Sequence, residues 1–376
     1  MDSLAFVFGA RIRQIDDWLP NWHTLMRDHP GATCTIVIVS TSERHVDDMV
    51  QRMHAVHLDC KIELSTHRDV RRDYALAPLS AQQHHKDSTG HWPDYVIVSD
   101  DDTVYLDMRQ YRRMLSRYDP SIPYFIGSAS DTAQRRHVEG AFAYGGASMI
   151  ITSALLGSMH GNYEQCLEDL PKEEFGGGDL YLALCTSRAI GLQPQRTAHR
   201  ARDMTEFFNF QSGLHQCDYT GNGDGFYQSG ERFLTLHHFL SKIFSKPFPA
   251  FIDHQISLRC TVLAAQRIGG QNLYKRFVFE QGRQLWVPGH SFTRYSRPIA
   301  QEDFALMEVT MKEVYFLEPT RPGITEGIDA SVEENTKQTF YLSATSARSP
   351  TSTVLGYTAS DNSTMTILVH HEAVDI

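Results

Sequence analysis

The chain has 376 residues, 41% of them apolar and 21% charged, enough to bury a substantial core and to form more than one folding unit. A formal charge of −10 gives no broad basic field, which excludes a general nucleic-acid or anionic-membrane binder. No run reaches the roughly 18 consecutive apolar residues of a membrane helix, and the start MDSLAFVFGARIR lacks the basic head and cleavage site of a signal peptide. The chain therefore reads as soluble, with no membrane segment of its own.

The first half alternates β-rich runs with amphipathic stretches. LAFVF (Leu4 to Phe8), CTIVIVS (Cys34 to Ser40), CKIELS (Cys60 to Ser65) and YVIVSD (Tyr95 to Asp100) read as strands. Ile15 to Arg27 and Val46 to His57 read as helices between them. Strands apolar on both faces and separated by helices predict a parallel sheet covered on both sides, an α/β layer. In such sheets ligands gather at the carboxyl ends of the strands, where Asp100, Asp101 and Asp102 stand.

From Ile122 to about Phe239 glycine, histidine and aromatic residues are dense, which marks turns and close backbone approaches. Beyond about Ser241 the runs YKRFVFEQGRQLWVPGHSFTRYS, FYLSAT and TMTILVHH read as short strands, and Pro319 to Thr339 as a polar loop. The expected organisation is an α/β domain over residues 1–240 and a β-rich region over 241–376.

Three adjacent carboxylates at a strand end have two readings. One is a solvated acidic turn with an Asp capping a helix; the other is a divalent-cation site that also engages phosphate oxygens. A phosphohydrolase of the aspartyl-nucleophile type would want D-x-D-x-T, and Val104 stands where the Thr is needed. The six cysteines show no CxxC or zinc-like spacing, so buried thiols and a partial disulfide set remain open. Asn362 begins an N-x-S/T sequon.

VSDDDTVY resembles the D-x-D motif of nucleotide-sugar glycosyltransferases with a GT-A fold. YFIGSAS, GAFAYGGASMIITSALL, GGGDLYLALC, GLHQCD and GFYQSGERFLTLHHF follow in the order expected for the Fringe and core-1 β-1,3-galactosyltransferase family, glycosyltransferase family 31, with the fungal and plant Fringe-related group most similar. The resemblance covers most of Leu4 to about Arg297. It implies a GT-A, Rossmann-like nucleotide-sugar-binding α/β fold with a C-terminal β-rich appendage. It also implies a metal-dependent inverting hexosyltransferase that moves galactose, GlcNAc or glucose from a UDP donor to a hydroxyl of a glycan, glycoprotein or small molecule, with a β-1,3 linkage.

Within that resemblance Asp102 binds Mn²⁺ or another divalent cation, Asp100 contacts the ribose, and Asp101 is braced by backbone or assists the metal. His215 is the counterpart of the family's second metal ligand. Where Fringe proteins have another His two positions on, this chain has Cys217 and then Asp218, so His237 and His238 stand as rival ligands. One of an adjacent pair points inward in an extended segment. Asp179 corresponds to the base that deprotonates the acceptor; its position after three glycines also suits a helix N-cap, and a helix N-terminus favours an ionised carboxylate. Glu173 and Glu174 read as solvated charges.

Arg11 and Arg13 in FGARIRQ fall at the sheet's carboxyl edge, suited to the base or diphosphate. Gly145 and Gly146 would let backbone approach donor sugar or acceptor, or form a plain turn before a strand at Ser148 to Thr152. Asp218 and His238 join them as candidate substrate contacts. The resemblance also implies a disulfide between Cys166 and Cys185 around the Asp179 loop, hence an oxidising compartment, the Golgi lumen, with any anchor lying outside this chain. Were Met1 the native start, the cytoplasm would be expected instead. The alternative function is a sugar-binding or nucleotide-sugar-binding protein with the same fold and no turnover.

Overall fold

The computed structural model describes residues 3–10, 15–38, 43–65, 70–129, 142–161, 163–170, 177–191, 208–210, 214–218, 234–237, 253–269, 277–282, 284–287, 291–295, 337–359 and 361–372, with Leu273 and Pro298. The chain divides into two compact units, one of residues 1–104 and 108–217, the other of 105–107 and 218–376.

In the first unit β1 (Leu4–Ala10), α1 (Ile15–Arg27), β2 (Thr33–Ile38), α2 (Glu43–Ala55), β3 (Lys61–Leu64), α3 (Val70–Thr89) and β4 (Tyr95–Asp100) follow in strict β/α alternation. β1 pairs in parallel with both β2 and β4, and β2 with β3. The expected parallel layer is present. Flanked by β2 and β4, β1 is buried along almost its whole length, which is why it reads as a continuous apolar run rather than an alternating one. Trp22 of α1 stacks on Phe8 of β1 with ring centroids 4.8 Å apart, pinning the helix to the sheet. Within α3, Pro78 cannot donate to the carbonyl of Tyr74 four residues earlier. The ladder is therefore interrupted at Tyr74.

After β5 (Val104–Tyr105), α4 (Met108–Leu115) and β6 (Phe125–Gly127), the strand β7 (Met149–Thr152) enters beside β4 and runs antiparallel to it. β7 starts one residue later than the expected Ser148. Three helices follow, α5 (Ser153–Met159), α6 (Tyr163–Asp169) and α7 (Gly178–Ala189), and then β8 (Phe208–Phe210), parallel to β6. Among the described residues the sheet order is β3-β2-β1-β4-β7-β6-β8. The purely parallel reading thus holds for the first four strands, and the sheet becomes mixed where β7 joins.

Disulfides join Cys166 to Cys185, as the family resemblance implied, and Cys34 to Cys60, which no motif announced. The first links α6 to α7. The second fastens the start of β2 to the residue preceding β3.

β9 (Leu214–Asp218) runs to the boundary between the units, and β10 (Thr235–His237) belongs to the second. In the second unit α8 (His254–Ile268) precedes β11 (Phe277–Phe279), β12 (Gln284–Val287), β13 (Ser291–Tyr295), β14 (Lys337–Ser349), β15 (Ser352–Ala359) and β16 (Thr364–His370). These six strands pair consecutively and antiparallel. The β-rich character expected beyond Ser241 is present, but α8 was not expected there. Its signals are in the sequence: Asp253 caps it, accepting from the amides of Gln255 and Ile256, and Gly269 ends it at φ 81°. Thr345 of β14 donates its hydroxyl to the carbonyl of Cys260, 3.2 Å away, fixing the helix to the meander.

Candidate active site

β4 delivers Asp100 to the carboxyl edge of the sheet, and the chain turns at once: Thr103 N–H donates to the carbonyl of Asp100 at 3.2 Å. The turn separates the three acids. Asp101 folds inward, 8% exposed, and its amide donates to Gly9 O at the end of β1, 3.0 Å away. Asp100 and Asp102 remain half-buried. Thr103 secures the turn from below, its hydroxyl donating to Gly146 O at 3.2 Å.

Asp100 and Asp102 flank the buried Asp101 in the first unit, and His237 closes β10 in the second, 4% exposed. Carboxylate and imidazole are donors that suit Mn²⁺ and several other divalent ions. His215 and Asp218 lie on β9, with side chains outside the described residues; Arg11, Arg13, His238, Glu173 and Glu174 lie outside them altogether.

Asp179 does not cap its helix. Gly177 is the N-cap of α7, and Asp179 sits in the first turn, where the helix dipole favours negative charge. One of its oxygens, Oδ1, accepts from Leu180 N–H at 2.9 Å, and Oδ2 accepts from Gly145 N–H at 3.3 Å. The residue is half-buried. Its orientation thus comes from two backbone donors, and the disulfide of Cys166 with Cys185 anchors the helix that carries it.

Gly145 and Gly146 open a single 3-10 turn, Gly145–Ala147, and Ser148 leaves it at φ 79°. Inside the protein, Gly145 already has close neighbours: a Cβ on it would overlap the Tyr74 hydroxyl and lie 2.9 Å from Asp100 Oδ1. Tyr74 is the functional neighbour that sequence reasoning missed. Its hydroxyl donates to Asp100 Oδ1 at 2.9 Å. No motif contains it, and the available signal was indirect, in the glycines that its ring crowds.

The parallel strands β1 and β4 thus bring the acidic turn Asp100–Asp102 to the carboxyl edge of an α/β sheet, where such sheets take their ligands. Residues 41–209, 169 of the 376, match the family model described as Fringe-like. The match includes Asp100, Asp102, Gly145 and Asp179 and ends before His237.

No curated protein matches the sequence. Similar solved structures include the mannosyltransferase PcManGT from Pyrobaculum calidifontis in complex with GDP-Man and Mn²⁺, at 15% identity over 49% of this chain and 52% of that one, TM-score 0.34. Another is the glycosyltransferase GlyE of Streptococcus pneumoniae, at 16% identity over 70% and 60%, TM-score 0.40. A third is a nucleotide-diphospho-sugar transferase, so named by similarity, from Desulfovibrio desulfuricans, at 10% identity over 50% and 78%, TM-score 0.31. The matched regions span 52% and 60% of the first two of those chains.

Proposed function

We propose that the protein is a metal-dependent, inverting transferase that moves a hexose from a UDP donor to an acceptor hydroxyl, forming a β-1,3 linkage. The observation that carries this reading is the acidic turn of Asp100 and Asp102 at the sheet's carboxyl edge, in a chain whose Asp179 is held by the Gly145 amide. A divalent cation, Mn²⁺ by preference, held by Asp100 and Asp102 with His237 as the proposed further ligand, would offset the charge of the departing diphosphate.

The reaction assigned to Asp179 is general-base catalysis. As the acceptor oxygen forms its bond to the anomeric carbon, Asp179 takes the hydroxyl proton. The bond from that carbon to the diphosphate oxygen breaks on the opposite side, and its electron pair leaves with UDP. A single in-line displacement inverts the anomeric centre, and no residue need carry the sugar covalently. Arg11 and Arg13 are proposed for the base or diphosphate, and Gly146, Asp218 and His238 for the sugar side, as the family resemblance implies. The two disulfides support an oxidising, secretory-pathway lumen as the working compartment.

The test is UDP release from a panel of UDP-sugars, with Mn²⁺ or with EDTA. Metal-dependent release from one donor is expected. UDP binding without release from any donor would replace the transferase reading with that of a nucleotide-sugar-binding protein.

A further inference from the structure

Three glycines from three separate segments are crowded by one side chain. A Cβ on Gly9, at the end of β1, would lie 2.6 and 2.7 Å from Cδ2 and Cε2 of Tyr74. One on Gly178, the first residue of α7, would lie 2.6 to 2.8 Å from Tyr74 Cβ, Cγ and Cδ1, and one on Gly145 would overlap the hydroxyl. Real Cβ atoms do not approach so closely, so each of these backbones passes Tyr74 at a distance only glycine allows. The ring is thus fixed against the strand that neighbours β4, against the turn that holds Asp179 and against the helix that carries it. At its tip the hydroxyl donates to Asp100 Oδ1 at 2.9 Å.

We propose that Tyr74 is the positioning residue of the site: it sets the orientation of the Asp100 carboxylate for the cation and couples that carboxylate to the segment bearing Asp179. The proposal rests on the metal-dependent reading above. A carboxylate rotates readily about its last bond, and a hydrogen bond from a side chain that cannot itself move fixes that rotation. Tyr74 meets that condition because three glycine backbones press on it and it packs against the hydrophobic core of the first unit. Gly145 closes the connection: its amide holds Asp179 Oδ2, and its bare Cα leaves room for the Tyr74 to Asp100 bond. A displacement of Asp100 would thereby reach the base through a single glycine.

The experiment is Mn²⁺ titration, without nucleotide, of the full chain in wild-type, Tyr74→Phe and Tyr163→Phe forms. Tyr74→Phe keeps the ring against the three glycines and removes only the donor. Tyr163 donates its hydroxyl to Ala75 O at 2.7 Å, so Tyr163→Phe loosens the adjacent turn of the same helix without touching the carboxylates. The expected result is a loss of Mn²⁺ affinity of about tenfold or more in Tyr74→Phe, with cooperative unfolding retained and Tyr163→Phe binding as wild type. Equal affinity in wild type and Tyr74→Phe would overturn the positioning role alone. Equal weakening in both variants would also overturn it, showing that the effect is looseness of α3. Absence of Mn²⁺ binding in the wild type would overturn the metal reading and this proposal with it.

Discussion

The amide of Gly145 stands 3.3 Å from Asp179 Oδ2. The same residue, lacking a side chain, admits the Tyr74 hydroxyl to Asp100. One glycine therefore serves both halves of the proposed chemistry, the carboxylate that would bind the cation and the carboxylate that would take the proton.

Replacing Gly145 by Ala places a methyl group on the Tyr74 hydroxyl and close to Asp100. Overpacking of this kind costs about 1 to 3 kcal/mol, and relief by movement of Asp100 lowers metal affinity. Gly145→Ala is expected to lose both Mn²⁺ affinity and transfer. Gly31→Ala, which meets nothing within 4 Å, leaves both unchanged. Calorimetric titration and UDP release check the pair.

Asp179→Asn retains a group of the same shape that can still accept from Gly145 N–H but no longer takes a proton. The expected outcome is a fall in transfer of about 10²- to 10⁴-fold with UDP and Mn²⁺ affinity within twofold of wild type. Transfer at the wild-type rate would assign the base to another residue.

Ser148 holds a backbone conformation, φ 79° and ψ 124°, that suits glycine, at a cost of about 1 to 3 kcal/mol. Its buried hydroxyl pairs with that of Tyr111 at 2.8 Å. Ser148→Ala loses the bond and keeps the strain, whereas Ser148→Gly loses the bond and releases the strain. Urea unfolding is expected to show Ser148→Gly more stable than Ser148→Ala by about 1 kcal/mol or more.

Acid sensitivity has a specific source in His29. Burial, followed by the Arg112 guanidinium, holds its pKa down at about 4 against an ordinary 6.5, and Asp28 opposes them. An arginine only donates, so Nδ1 of His29 accepts from Arg112 at 2.9 Å and the ring is neutral when folded. The unfolded state then binds more protons below pH 6.5, and stability present above that pH is lost as pH falls towards 4. This one group contributes up to about 3 kcal/mol. His29→Gln keeps an acceptor for Arg112 and does not titrate, so denaturant midpoints between pH 7 and 4 should fall less steeply in that variant.

Much of the first unit was legible because β1, β2 and β4 are buried on both faces, and such runs stand out in sequence: Tyr95–Asp100 coincides with β4, and Ile15–Arg27 with α1. The direction of β7 was not legible, since MIIT is buried throughout and a run without alternation carries no mark of its neighbour's orientation. Asp102, Asp179 and the Cys166 to Cys185 bond came through family resemblance, each lying within a recognisable segment. His237 stood in a set of three histidines, because spacing alone does not say which of them a fold carries to an acidic turn. Tyr74 was invisible because its partners sit at positions 9, 100, 145 and 178, a set that only folding assembles.

β1 lies between β2 and β4, pairing Gly9 with Asp100 across 91 positions of chain. At synthesis rates of about 5 to 20 residues per second, that stretch takes on the order of ten seconds to emerge. Through that interval one edge of an almost wholly apolar strand waits for its neighbour, a template for pairing with the wrong chain. The acidic end of β4 thus takes its place only when the sheet's longest wait is over, and the yield of active protein should depend on what shields β1 in the meantime.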